Sequence, residues 1–275
     1  MKSAMKRGMR LEMAAALAIA RRELYSFFVT PLGVVLLTGV VLLTEYFFFN
    51  LLYLFNQALR AFAAAPVRLP NRAPDLQPFI IAGLYETIML LFVFILPLLS
   101  MRLFAHEHRR GTAELLLTSP VSAVAIVVGK FGALFVKVSI LNVLIFLFPT
   151  ITWVYAAPRP EFAIFVNAAL GFWLYSIALA SISAFVSVFF RDELSAGVAG
   201  VVVLFLVYLM YVPLESVSPF WSGVIETLSP VVRARDFLSG VLQLSHLVYF
   251  ISAICISLLL AMRVVASPRF RLGAE

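Results

Sequence analysis

Charge is scarce in this sequence and cysteine nearly absent. Only 13% of the 275 residues are Asp, Glu, Lys or Arg, about half the share of roughly 25% in a soluble domain. The single cysteine, Cys255, sits inside an apolar run, which excludes an internal disulfide and leaves cysteine-based metal or redox chemistry without material. No phosphate-cradling glycine loop is present, because Gly129-Lys130 lacks the upstream glycine. A G-x-S-x-G nucleophile elbow is missing too. So is a pair of conspicuous aspartates, or a Ser/His pair in adjacent apolar segments, for hydrolysis within a membrane. His106-Glu107-His108 does not build a zinc site: neighbours on a helix point apart, and Arg110 stands where a second histidine is needed. Any chemistry that energises this protein therefore comes from another chain.

What the sequence has in abundance is apolar length. It is 63% hydrophobic, with 26 Phe and a mean hydropathy of +1.03. Six segments reach the roughly 20 residues needed to cross a bilayer as helices: 31–49, 79–100, 123–150, 162–190, 194–212 and 241–262. The expected fold is an all-α polytopic membrane protein with six transmembrane helices. One transmembrane domain covers 1–275: an interfacial helix (1–30), spans one and two (31–100), a charged loop (101–122), spans three to five (123–212), an interrupted segment (213–240), span six (241–262) and a basic tail (263–275).

Residues 1–30 imitate a signal peptide, with Lys2, Lys6, Arg7 and Arg10 ahead of an Ala-rich run. That run is short, and Arg21-Arg22-Glu23 follow it directly, so the reading is an uncleaved amphipathic helix on the inner leaflet. Leu17, Leu24 and Phe28 form its apolar side, with Arg21 and Arg22 towards water. Residues 51–78, with four prolines, form a partly helical external connection. In 213–240, Pro213, Pro219 and Pro230 interrupt the helix, which suits a re-entrant hairpin with Trp221 at the interface. Thirteen of the 21 Lys and Arg residues fall on the side of the N-terminus and six on the other. This bias puts both termini in the cytoplasm and explains the net charge of +7 as topology rather than a nucleic-acid footprint.

The loop 101–122 organises the chain. Thr112 suits an N-cap, Glu114 falls in the first turn of a short helix, and Pro120 ends it. Ser122 then caps the next long helix. Glu45, Glu86 and Lys137 lie within spans, where ionisable groups are costly. Each is about 14 residues, or ~21 Å, from the cytoplasmic end of its span. A Glu–Lys–Glu cluster at one level is one reading. The other puts both glutamates in the outer headgroups and lets Lys137 snorkel. Lys130, half as deep, reads as a snorkelling anchor. Ser176, Ala180 and Ala184, with Gly197 and Gly200, offer small-residue surfaces for close helix packing.

The run from Glu107 to Ser122, followed by Val128-Gly-Lys-Phe131, resembles the signature of type-2 ABC transporter permeases, nearest the gliding-motility branch. Arg21-Arg22-Glu23-Leu24 with Ser26-Phe27-Phe28 is similar to the connecting helix of that family, and Leu228-Ser-Pro230 with Asp236 to Gly240 to its stretch before the last span. The resemblance implies a permease in a bacterial inner membrane that dimerises, as a homo- or heterodimer, and works with two copies of a separate ABC ATPase. In that picture Glu107, Arg109, Arg110, Gly111, Thr112, Glu114, Leu115 and Leu116 belong to a coupling helix, with Arg21, Arg22 and Glu23 in the connecting helix beside it. ATP and magnesium are bound by the ATPase, and this chain holds no cofactor and no metal. A partner with a large external domain also belongs to that picture, as does membrane lipid. Two other functions use the same sequence: a force-transmitting scaffold driven by an ATPase without cargo, and a membrane-embedded enzyme on lipid-linked substrates built around Glu45, Glu86 and Lys137.

Overall fold

The computed structural model describes residues 2–64, 74–105, 122–156, 161–211 and 219–267. These residues are helical almost throughout, with no strand among them. In an apolar solvent the backbone must satisfy its own hydrogen bonds, and an isolated helix does so at every residue between its ends. The helices are α1 (Lys2–Val29), α2 (Pro31–Ala64), α3 (Gly83–Ser100), α4 (Ala123–Tyr155), α5 (Phe162–Ser187), α6 (Glu193–Leu209), α7 (Pro219–Leu228), α8 (Pro230–Leu238) and α9 (Leu244–Ala266). A π-helical turn, Gln77–Ala82, runs straight into α3.

Five of these segments are long and apolar enough to cross a membrane: Pro31–Ala64, Gln77–Ser100, Ala123–Tyr155, Phe162–Ser187 and Leu244–Ala266. The sixth apolar helix, α6, has 17 residues, about 26 Å at the helical rise and a little short of the ~30 Å hydrocarbon core. In contrast, α2 and α4 outrun the spans expected for them, reaching Ala64 and Tyr155. At 34 and 33 residues they are about 50 Å long. Residues 50–64 contain neither Pro nor Gly, so nothing in the local sequence ends α2 at the membrane boundary.

The bundle has two ends. The base carries 101–105, Ser122, 188–193 and the end of α9; the crown carries the start of the π-turn, the end of α4, the start of α5 and the α7–α8 pair. At the base, Ser122 caps α4 by accepting from Ala125 N at 3.2 Å. Asp192 caps α6 by accepting from Ser195 N at 3.1 Å. More than half of the span residues of α3 and α5 are buried, against 22% in α2 and α9. The first pair is therefore the core and the second the periphery. Phe172 of α5 sits between Tyr85 and Phe92 of α3, each ring centroid 5.0 Å away. Ser176, Ala180 and Ala184 are all buried within this one chain, and Gly200 brings α6 onto Pro97 and Ser183.

The interrupted segment before the last span is the helical hairpin α7–α8. Phe237 packs on Gly171, nine residues below the crown end of α5, about 14 Å along the axis. Tyr249 of α9 donates to the carbonyl of Leu228 at the α7–α8 joint. The hairpin thus dips below the crown ends of its neighbours, above the short α6. The chain leaves it at Gly240, whose φ of +90° suits glycine. The side chain of Trp221 lies outside the described residues.

Helix α1 differs from expectation in its packed face. Leu17 and Phe28 are exposed, while the packed stripe is Ala15, Ala16, Ile19, Ala20, Glu23, Leu24 and Phe27. This stripe lies along α4, with Ala16 at Gly129, Glu23 at Lys130 and Phe27 at Lys137. Close approach puts the small Ala16 against Gly129, while the larger Phe27 packs further along, at Lys137.

Candidate functional site

The residues of loop 101–122 that the resemblance singles out, Glu107, Arg109, Arg110, Gly111, Thr112, Glu114, Leu115 and Leu116, fall outside the described residues. Their two attachment points are described. On one side the chain leaves α3 through a turn at Met101 to Phe104 and reaches Ala105. Leu103, Phe104 and Ala105 are all buried. On the other side the cap at Ser122 starts α4.

Both attachment points meet at Lys130. Its side chain is fully buried, two turns into α4. The ammonium donates to the carbonyl oxygen of Leu103 and lies 3.4 Å from Oε1 of Glu23 in α1. It also stands 5.4 Å from the centre of the Phe104 ring. One cation therefore holds the end of α3, the start of α4 and the face of α1. A buried ammonium is tolerated where a carboxylate and a carbonyl replace its water. The reading of Lys130 as a snorkelling anchor is corrected by this geometry: its head is turned into protein.

Glycine makes the approach feasible. A Cβ on Gly129 would lie 2.6 Å from the carbonyl oxygen of Ala16, so any side chain there pushes α1 off α4. Seven residues on from Lys130, and so on the same face of α4, Lys137 places its ammonium 5.0 Å from the centre of the Phe27 ring. Phe27 is likewise four residues on from Glu23. The two helices thus meet along matched stripes, cation to carboxylate and then cation to ring. Arg22 lies 3.5 Å from the same Glu23 oxygen and keeps its side chain largely exposed, and Arg21 is exposed beside it.

Across the base a second set of contacts joins α3, α5 and α6. Arg102 Nε donates to Oε2 of Glu193 at 2.9 Å, linking the turn after α3 to the first residue of α6. The hydroxyls of Ser100 and Ser183 are 2.6 Å apart in a buried contact. The turn after α3 is thereby fixed to α6, and the end of α3 to α5.

Glu45, Glu86 and Lys137 are not brought together as the cluster reading of the sequence supposed. Glu45 is exposed on α2, Lys137 faces Phe27, and Glu86 pairs with Arg235 of α8 at 3.1 Å. The guanidinium of Arg235 also covers the Tyr211 ring at 4.7 Å. Equal depth along three helices says nothing about the direction in which each side chain points, and one residue turns that direction by about 100°. The spacing of Lys130 and Lys137 by two turns was the available signal for the α1 contact. Nothing in the sequence tied Leu103 or Arg235 to their partners.

Among the described residues no group of three or more His, Cys, Asp or Glu is arranged to hold a metal. At the base, buried polar and steric contacts join the turn after α3, helix α1 and the ends of α4, α5 and α6. The comparisons with known proteins agree with that architecture. No curated protein matches the chain. The family described as ABC-2 family transporter protein matches residues 12–267, from the middle of α1 to the end of α9. With nearly the whole bundle covered, the chain belongs to that family and is a type-2 ABC transporter permease, a multi-pass membrane protein.

Proposed function

We propose that this chain couples ATP hydrolysis by a separate ABC ATPase to the movement of a substrate across or out of the cytoplasmic membrane of a bacterium. The base and both termini face the cytoplasm, in keeping with the excess of Lys and Arg on that side. Residues 107–118 seat on the ATPase, with Glu107, Arg109, Arg110 and Glu114 making polar contacts and Leu115 and Leu116 apolar ones. ATP and magnesium stay with the ATPase, and this chain supplies no catalytic group. A second permease copy or a related membrane subunit completes the transporter.

The observation that carries the reading is the junction at Lys130. A push on the loop reaches Leu103 and Phe104 directly, and the same ammonium passes it to Glu23 and hence to α1. From α1 it continues into α2, because only Thr30 separates the two helices and its amide still bonds to Ser26 O. Small displacements at the base are transmitted because packed helices shift as units.

A force-transmitting subunit without cargo would use the same junction, and transport assays in proteoliposomes separate the two. The reading as an enzyme loses its polar constellation, since Glu45, Glu86 and Lys137 stand apart. The first test is purification of the tagged protein from its native membrane in mild detergent. An ATPase held at near-equal stoichiometry, and lost in Glu107→Ala with Glu114→Ala, supports the proposal. A stable complex without a nucleotide-binding protein overturns it.

A further inference from the structure

Glu45 is exposed on α2, and no hydrogen bond or ion pair joins it to another described residue. Two neighbours fix its depth. Phe55, ten residues on, packs its ring on Phe79 in the π-turn that opens the α3 segment at the crown. Pro31, fourteen residues back, opens the span. Glu45 therefore stands about 15 Å below the crown level and about 21 Å above the start of α2. With a hydrocarbon core of ~30 Å, that is inside the apolar phase rather than at its edge. The side chain also leans the wrong way to escape. Helical side chains tilt towards the N-terminus, which in α2 means deeper into the membrane. Leu42, Tyr46 and Phe49 surround it on the outward side, each more than half exposed.

A carboxylate facing hydrocarbon is costly, and in membrane proteins such a group is met by a partner of opposite charge. The outward residues Val35, Thr38, Leu42, Glu45 and Phe49 follow one another by three and four residues in turn, and all are exposed. That spacing is the seam along which one helix packs on another. Only 22% of the α2 span is buried, so the seam faces out of this chain.

A second copy does not supply the cation. A twofold axis along the membrane normal keeps every residue at its own depth, and among the described residues no free Lys or Arg lies at the depth of Glu45. Lys130 and Lys137 are buried in α4, and Arg60 is about 22 Å further out along α2. Arg235 is engaged by Glu86 and Tyr211, and Arg233 by Thr227 and Tyr249. The other described Lys and Arg residues belong to α1 or to the base.

We infer that the outward seam of α2 docks a membrane-spanning helix of a different subunit, which presents a Lys or Arg to Glu45. The apolar positions above and below Glu45 supply the packing, and the ion pair fixes the register. The inference rests on the membrane setting of α2 and stands apart from the coupling role.

The test places a photo-crosslinking amino acid at Leu42 or at Phe49 of the full chain in its native membrane. Val202, exposed on α6, is the control position. Glu45 is unchanged in these proteins, so the first readout needs no disruptive variant. Cross-links from both positions, and not from Val202, are expected to one apolar peptide of another polypeptide that contains Lys or Arg. Glu45→Lys should lower their yield by about tenfold or more, and exchanging the basic residue of that peptide for Glu should restore it. Cross-links to a second copy of this chain overturn the inference. So do cross-links to lipid alone, a peptide without a basic residue, the same peptide captured equally at Val202, or a yield that Glu45→Lys leaves unchanged. No ATPase enters the readout, so the docking inference and the coupling role stand or fall separately.

Discussion

Lys130 and Glu23 are 107 residues apart in sequence, and 3.4 Å separates the ammonium of one from a carboxylate oxygen of the other. The lysine side chain is wholly buried and the glutamate 17% exposed. Removing one partner of such a pair strands the other in a poorly solvated site, at a cost of about 3–5 kcal/mol when burial is complete. Lys130→Met should therefore lower thermal stability in detergent clearly, towards the lower end of that range because Glu23 keeps some contact with solvent. Adding Glu23→Gln should return part of the loss. A Lys130→Met protein as stable as wild type would show that the pair does not form.

Lys137 offers the opposite expectation. Its ammonium packs against the Phe27 ring, and among the described residues no carboxylate is in ion-pair contact with it, Glu23 being paired with Lys130. Exchanging it for methionine, of similar length and without charge, removes a desolvation penalty and keeps the packing. Lys137→Met should match or exceed the wild-type unfolding temperature. A large loss of stability would mean that an ion pair had been broken.

The contact between α1 and α4 makes a steric prediction at two neighbouring glycines. A Cβ at Gly129 meets the Ala16 backbone at 2.6 Å, whereas one at Gly132 meets nothing within 4 Å. Gly129→Ala should destabilise by roughly 1–3 kcal/mol, the usual cost of overpacking. Gly132→Ala should be neutral or stabilising, since alanine is the better helix former. Equal effects in unfolding experiments on the two variants would remove the close approach.

At the crown, Arg235 pairs with Glu86 and covers Tyr211, which fixes α8 to α3 and to the end of α6. Arg235→Met alone should loosen the hairpin and raise hydrogen exchange in 230–238. Combined with Glu86→Gln it should loosen it less, because no unpaired carboxylate then remains near the apolar phase. A double variant looser than the single one would contradict the pairing.

Much of this architecture was legible because one physical rule dominates it: backbone in hydrocarbon must be helical, and crossing takes about 20 apolar residues. Ser122 was readable as a cap for the same local reason that makes it one, an oxygen within reach of the next turn. Overruns such as Asn50 to Ala64 were not legible, since helix ends outside the membrane depend on breakers that this stretch lacks. Polar partners were the weakest point. Glu86 was matched by depth to Glu45 and Lys137, but its partner Arg235 comes from α8, 149 residues later. Lys130 was judged by depth as well, when the informative feature was its turn-matched relation to Lys137 and the glycine preceding it.

Lys130 ties the turn after α3 to helix α1, and on the proposed function a push from the ATPase passes to α1 through it. The most direct test is ATPase stimulation in the reconstituted complex of this chain with its co-purifying ATPase, comparing wild type with Lys130→Met under conditions where both complexes stay assembled. The account predicts that Lys130→Met still binds the ATPase through its loop yet loses most of the stimulation, as Glu107→Ala with Glu114→Ala does by failing to bind. Wild-type stimulation by an assembled Lys130→Met complex would contradict it.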